Sequence, residues 1–153
     1  MVALSKRGFK ISVANFIDAK AAALTPPLHV VYDKSLTDAT ITDNSIKEWI
    51  SVNFGTIDFE GTCEGYVEIF ILTREDSEGL NSDIIFDKLM EFFSDPDMPD
   101  GNKRIPFNEV INGALVQTST MWLARITPGK EFTLLDETKV CPTHLTFSWS
   151  GTL

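Results

Sequence analysis

The chain has 153 residues and a mass of 17.0 kDa, which suits one domain with a sizeable buried core. Hydrophobic residues make up 43 % of it and Phe occurs 11 times, which excludes a disordered chain because disorder requires few apolar side chains. With 13 basic and 22 acidic side chains the formal net charge is −9, which disfavours binding to nucleic acid or anionic lipid. An acidic wall still suits DNA that slides past without adhering.

The first predicted element is an amphipathic helix over residues 5–24, followed at once by Pro26 and Pro27, which cannot continue a helix. Six apolar side chains recur at helical spacing: Phe9, Val13, Phe16, Ile17, Ala21 and Leu24. Polar residues such as Lys10 and Asp18 interrupt the apolar run, so it resembles neither a signal peptide nor a membrane span. We therefore expect synthesis in the cytoplasm.

Three strands are predicted next, over residues 28–32, 48–59 and 66–72. A polar stretch over residues 33–45 separates the first two and is long for a connection, so it is either mobile or a contact arm. In the second strand the alternation changes phase at Gly55, which predicts a β-bulge or a sharp bend.

The third of these strands is apolar on both faces. Val67, Ile69 and Ile71 are expected to point to one face of the strand. Tyr66, Phe70 and Leu72 are expected to point to the other. A sheet with one wet face does not show this pattern, so something must cover each side of the strand.

A second helix is predicted over residues 82–93, capped by Asn81 or Ser82, and an acidic turn follows over residues 95–101. The remainder is mostly extended, with segments 121–126 and 131–135 flanking a type II turn at Pro128 and Gly129, and a closing strand over residues 143–149. The order predicts one α+β domain, 1–153, with a mixed or antiparallel sheet and two main helices packed on one face.

The sequence contains no recognisable catalytic or metal-binding motif. The acidic turn lacks the spacing of a calcium loop, and no glycine-rich phosphate loop occurs. Cys63 lies between two glycines, but a nucleophilic thiol would need His29 or His144 beside it. We expect no enzyme, no cofactor and no metal, with Cys63 and Cys141 either free or joined in one disulfide.

The excess of aromatic residues is a positive indication of function, in contrast to the missing catalytic and metal-binding motifs. Tyr66, Phe70 and Leu72, joined by Trp49 of the neighbouring strand, predict a patch that another subunit covers. We therefore predict a homo-oligomer that uses this sheet face.

The order of elements resembles the tail terminator, or tail completion, proteins of long-tailed bacteriophages. The resemblance runs from the helix closed by Pro26 and Pro27 through the paired strands 48–59 and 66–74, the helix 82–93 and the final strand 143–149. It implies a non-enzymatic virion protein, a hexameric ring in the tail or neck that caps the tail tube and joins it to the head connector. DNA would pass through the lumen, and segments 33–45 and 95–101 would be candidate contacts to the tube or connector.

Three alternatives stay open from the sequence. Another component of the phage neck would share a small α+β domain of this kind. A module that binds a small ligand would need a pocket, and a hydrolase built on Cys63 would need a reactive thiol.

Overall fold

The computed structural model describes residues 5–34, 45–59 and 62–149 of the chain. Within these ranges the chain has an α+β fold with a mixed, curled sheet and two helices. The elements are α1 (Lys6–Ala22), β1 (His29–Tyr32), β2 (Glu48–Asp58), β3 (Cys63–Thr73), α2 (Leu80–Phe92), β4 (Ile105–Ile111), β5 (Ala114–Pro128), β6 (Phe132–Thr133) and β7 (Lys139–Trp149). The predicted stretch over residues 33–45 lies mostly outside the described residues.

The strands of the sheet are ordered β1-β2-β3-β7-β5-β4, and the short β6 pairs with β7. Only β1 and β2 run parallel, because the chain returns to the same end of the sheet between them, and the other described pairs are antiparallel. The register between β2 and β3 shifts between Phe54 and Ile57, which confirms the irregularity predicted at Gly55.

The main core is one cluster to which the sheet and both helices contribute apolar side chains. Ile69 and Ile71 of β3 share this cluster with Ile85 and Leu89 of α2. The predicted stripe of α1 also points into it: Phe9, Val13, Ile17 and Ala21 are buried, whereas Phe16 and Leu24 are partly exposed. That both helices cover one and the same face stays a prediction.

Helix α1 lies between the two edges of the curled sheet. At one edge the Ser12 hydroxyl accepts a hydrogen bond from the Asn108 amide of β4 at 2.7 Å. At the other edge the Tyr32 hydroxyl of β1 donates to the Asp18 carboxylate at 2.6 Å. Because unpaired strand edges invite association, a helix bound to both outermost strands shields the edges that the sheet would otherwise expose.

Two details of the C-terminal third differ from the prediction. Strand β4 and the first half of β5 form a hairpin that the alternation did not reveal, and its turn residues Asn112 and Gly113 have φ of 50° and 80°. The type II turn predicted at Gly129 is wrong, because the Gly129 amide instead donates to the Pro142 carbonyl at 2.7 Å and extends the pairing of β5 with β7. A side chain at Gly129 would lie 2.9 Å from Pro142 Cγ, so the strands approach there only with glycine.

Candidate protein interface

The four predicted interface residues all lie on one face of the sheet, opposite the main core. Trp49 pairs with Leu72 across β2 and β3, and Phe70 and Tyr66 follow at alternate positions of β3. We call this the outer face. The sequence pattern therefore grouped these side chains correctly on one side of the strand, while the subunit interface itself stays a prediction.

The chain itself covers one end of the outer face. Trp49 and Leu72 have no exposed surface and form a second cluster with Val140, against which Leu134 packs from the segment between β6 and β7. The Arg74 guanidinium lies 4.7 Å from the centre of the Trp49 ring. Trp49 and Leu72 thus act as core residues in the isolated chain, and a partner can reach only the other two predicted residues.

Those two, Phe70 and Tyr66, are partly exposed. The Tyr66 hydroxyl donates to the Glu64 carboxylate at 2.8 Å, and this hydrogen bond raises the pKa of Tyr66. Glu68 lies between the two aromatic residues and its carboxylate is 3.2 Å from His144 Nε2. The exposed part of the outer face is therefore a row of aromatic side chains with polar neighbours.

The outer face extends to three residues that the sequence analysis missed. Trp122 and Arg125 of β5 point outward, because their neighbours Leu123 and Ile126 pack into the core. The Arg104 guanidinium lies 5.0 Å from the centre of the Trp122 ring. The alternation of side chains within residues 121–126 could have identified Trp122 and Arg125 from the sequence. Tyr, Trp and Arg are the residues most enriched at the energetic centres of protein interfaces.

The negative charge of the protein is concentrated around α2. Residues 75–100 hold nine acidic side chains and one basic one, Lys88, so this segment carries nearly all of the net charge of −9. Asp83, Asp87 and Glu91 recur every fourth residue and are exposed on α2. This acidic helix lies on the side of β3 opposite to the outer face.

A charged cleft of about 930 Å³ lies between the ends of β3 and β7. Its basic groups already have partners within the chain: Lys47 Nζ is 3.0 Å from Glu75, and Lys139 Nζ donates to the Ser77 carbonyl at 2.8 Å. The third, Arg74, donates to the Ile46 carbonyl. The cleft therefore offers few unsatisfied charges for a small ligand.

The structure does not bring Cys63 together with a histidine. Cys63 is 3 % exposed and pairs with Trp149, whereas His144 pairs with Glu68, five residues along β3 and therefore about 16 Å away. His29 lies on β1, two strands from β3. Cys63 and Cys141 are not joined in a disulfide, and burial raises the pKa of the Cys141 thiol.

The carboxylates of the acidic turn accept hydrogen bonds from backbone amides in or next to the turn. Asp95 accepts from the Asp97 amide, and Asp100 accepts from the Asn102 amide and pairs with Arg104. Within the described ranges, no group of three or more His, Cys, Asp or Glu side chains could hold a metal ion. Among the same residues, no helix has the length and apolarity to cross a membrane.

Comparison with known proteins adds no assignment. No protein family matches the chain, and no curated protein is significantly similar to it.

Proposed function

We propose that the chain is a structural virion protein, a phage tail terminator that forms a homohexameric ring. In this role it caps the tail tube, joins it to the head connector in the tail or neck of the virion, and assembles in the host cytoplasm. Its partners would be further copies of itself, the tube protein and the connector, and DNA would pass through the lumen without binding. Both helices would lie on one face of the sheet and leave the outer face to a partner.

The observation that carries the proposal is the outer face beside Phe70. Three partly exposed aromatic side chains lie there: Tyr66 and Phe70 on β3, and Trp122 on β5, with β7 paired between the two strands. Strand positions hold side chains rigidly, so little conformational entropy is lost when a partner covers them. The element order on which the phage resemblance rests also holds for α1, β2, β3, α2 and β7.

Other readings have weaker support. A different ring of the phage neck would use the same outer face, and only the particle with which it co-purifies separates it from a terminator. A small-ligand module would use the charged cleft, whose basic groups are already paired within the chain.

The proposal is tested by mass and shape in solution. Six copies of the 17.0 kDa chain give a ring of about 100 kDa, measurable by light scattering and visible in negative stain. We expect Phe70→Asp to weaken association at least about tenfold, because a charge would replace a contact near the centre of the interface. Leu135→Asp is the matched control, since Leu135 is fully exposed and lies between β6 and β7, outside the strands that carry the aromatic side chains.

The outcome can contradict the proposal in two ways. Rings formed equally well by the Phe70→Asp variant would remove the outer face from the assembly. A chain that stays monomeric at its highest soluble concentration, and also in the presence of purified tail tubes, would overturn the terminator function.

A further inference from the structure

The tip of the β4–β5 hairpin carries the one asparagine of the chain that is followed by glycine. Asn112 and Gly113 have φ of 50° and 80°, and a type I′ hairpin turn requires positive φ at both of its central residues. Both residues are exposed, and the strands pair directly beside them, with Ile111 opposite Ala114. The turn therefore holds an asparagine side chain in water next to a residue that has no side chain.

This pair of residues can react with itself. The amide nitrogen of Gly113 can attack Cγ of Asn112, which closes a succinimide ring. A side chain on the residue after asparagine obstructs the attack, and glycine has none. A β-carbon placed at Gly113 would meet no described atom within 4 Å, so the surroundings of the turn do not block the reaction either.

The fold does not hold the two reacting groups. The ladder between β4 and β5 ends at Ile111 and Ala114, and the turn residues lie outside it. Within the described ranges, neither the Asn112 side chain nor the Gly113 amide has a hydrogen-bond partner. Attack by the Gly113 nitrogen therefore breaks no hydrogen bond of the fold.

Asn81 provides a comparison within the same chain, because it is followed by another small residue, Ser82. The Ser82 amide donates to the Asp76 carboxylate at 3.0 Å, at the start of α2. Attack by this nitrogen would break a hydrogen bond that caps the helix. The fold therefore protects Asn81 from the reaction to which Asn112 is open.

A second comparison is Asp100, which is followed by Gly101 in the acidic turn. The Gly101 amide donates to the Met98 carbonyl at 2.9 Å. The hydrogen bond from Arg104 holds the pKa of Asp100 below its usual range. Ring closure at an aspartate requires the protonated carboxyl group, so both the nitrogen and the carbon of this pair are unreactive at neutral pH.

We infer that Asn112 is the site at which the folded chain deamidates without an enzyme. A bond forms between the Gly113 nitrogen and Cγ of Asn112, and the bond between Cγ and Nδ2 breaks. The proton of the Gly113 amide passes through water to the leaving group, which departs as ammonia. Water then opens the succinimide at either of its carbonyl groups. The products carry aspartate or isoaspartate at position 112, and each adds one negative charge to the hairpin tip.

The isoaspartate product also changes the hairpin. Its main chain runs through the former side-chain carbonyl of Asn112, which adds one carbon atom to the backbone of the turn. Because a turn of two residues fixes the register of its hairpin, we expect this product to lose the pairing of Ile111 with Ala114. The aspartate product keeps the original backbone and should keep this pairing.

The test is incubation of the full chain in neutral buffer well below its melting temperature, followed by digestion and mass spectrometry of the peptides. We expect the Asn112 peptide to gain the mass difference between a hydroxyl and an amino group and to elute as two products of equal mass. The peptides of Asn81 and Asp100 should stay unchanged. The same incubation in urea frees the Ser82 amide, so Asn81 should then convert as well. Unchanged Asn112 in the folded chain, or conversion of Asn81 there at the same rate, overturns the inference.

Two variants of the exposed position 112 complete the test. Asn112→Gln keeps an amide but needs a larger ring, so we expect the slow appearance of a more acidic form on ion exchange to be lost. An acidic form that persists in this variant also overturns the inference. Asn112→Asp carries the added charge on an unchanged backbone, so its Ala114 amide should exchange with solvent more slowly than that of the isoaspartate product. Equal exchange in the two would contradict the predicted loss of pairing.

Discussion

Asp76 replaces the usual cap at the start of α2. The N-cap position is Gly79, which has no side chain to accept a hydrogen bond, and Asp76 instead accepts from the amides of Asn81 and Ser82 at 3.1 and 3.0 Å. The Thr73 hydroxyl donates to it as well at 3.0 Å. Burial alone would raise the pKa of Asp76, but these three hydrogen bonds together outweigh it and hold the pKa below its usual range.

We expect Asp76→Asn to lower the free energy of unfolding by about 1–2 kcal/mol at pH 7, because it removes a negative charge from the positive end of a helix. A carboxyl group whose pKa is depressed by folding stabilises the fold above its unfolded-state pKa, and that contribution is lost as pH falls through the folded-state pKa. The difference between variant and wild type should therefore shrink in acid.

Urea unfolding between pH 7 and pH 2 measures this effect, with Asp97→Asn in the exposed turn as the control. A difference that is constant over the whole pH range would show that the ionised carboxylate contributes nothing.

For individual residues, the sequence predicted the side of a helix or strand on which a side chain lies. It predicted less reliably which part of the molecule covers that side chain. The helical spacing of Phe9, Val13 and Ile17 found the buried side of α1. The alternation in β2 and β3 did not show that Trp49 and Leu72 are covered by the chain itself. The covering residue, Leu134, lies some 60 residues after β3. Alternation reports local geometry and carries no information on such distant contacts.

At the scale of elements, α1 is held to each edge of the sheet by different groups. On the β4 side the Ser5 amide and hydroxyl donate to the buried Glu109 carboxylate at 2.7 and 2.6 Å, and Ser12 bonds to Asn108. On the β1 side the Tyr32 hydroxyl donates to the Ala14 carbonyl and the Asp18 carboxylate, and Lys10 of the helix pairs with Asp33 directly after the strand. The attachment to β4 differs in that its acceptor, Glu109, is buried.

We expect Ser12→Ala to speed hydrogen exchange of the Asn108 amide about tenfold, because that amide loses its acceptor at a strand edge. Exchange of the amides of β3, in the middle of the sheet, serves as the internal reference and should change only as much as global stability does. Equal acceleration at β3 and at Asn108 would show that the hydroxyl acts on the whole fold and has no local role at the edge.

Long periodic elements were predictable from the sequence, and the hairpin was not. Helix α2 and strands β2, β3 and β7 fall within a few residues of their predicted positions, because their apolar side chains repeat at the right period. In β4 and β5 the turn signal, Asn112 followed by Gly113, was present, but exposed Leu115 and Val116 break the alternation around it. The hairpin tip is stabilised by strand pairing more than by burial, so periodicity alone misses it.

At the scale of the whole molecule, the contacts of α1 with both edges should make unfolding cooperative. We expect tryptophan fluorescence and far-UV circular dichroism to report the same midpoint in urea, because Trp49, Trp122 and Trp149 lie on different strands of one sheet. Two separate transitions would mean that the β4–β5 hairpin and the rest of the sheet unfold independently.

The placement of α1 also fixes an order of events during synthesis. Ser5 and Glu109 are 104 positions apart, so at about 5–20 residues per second the ribosome needs roughly 5–20 s to deliver the strand that holds the start of the helix. During this interval the nascent chain carries Phe9, Val13 and Ile17 without their final cover. Helix α1 is thus translated well before its attachment to β4 can form, which makes its apolar side the natural point of contact for a chaperone.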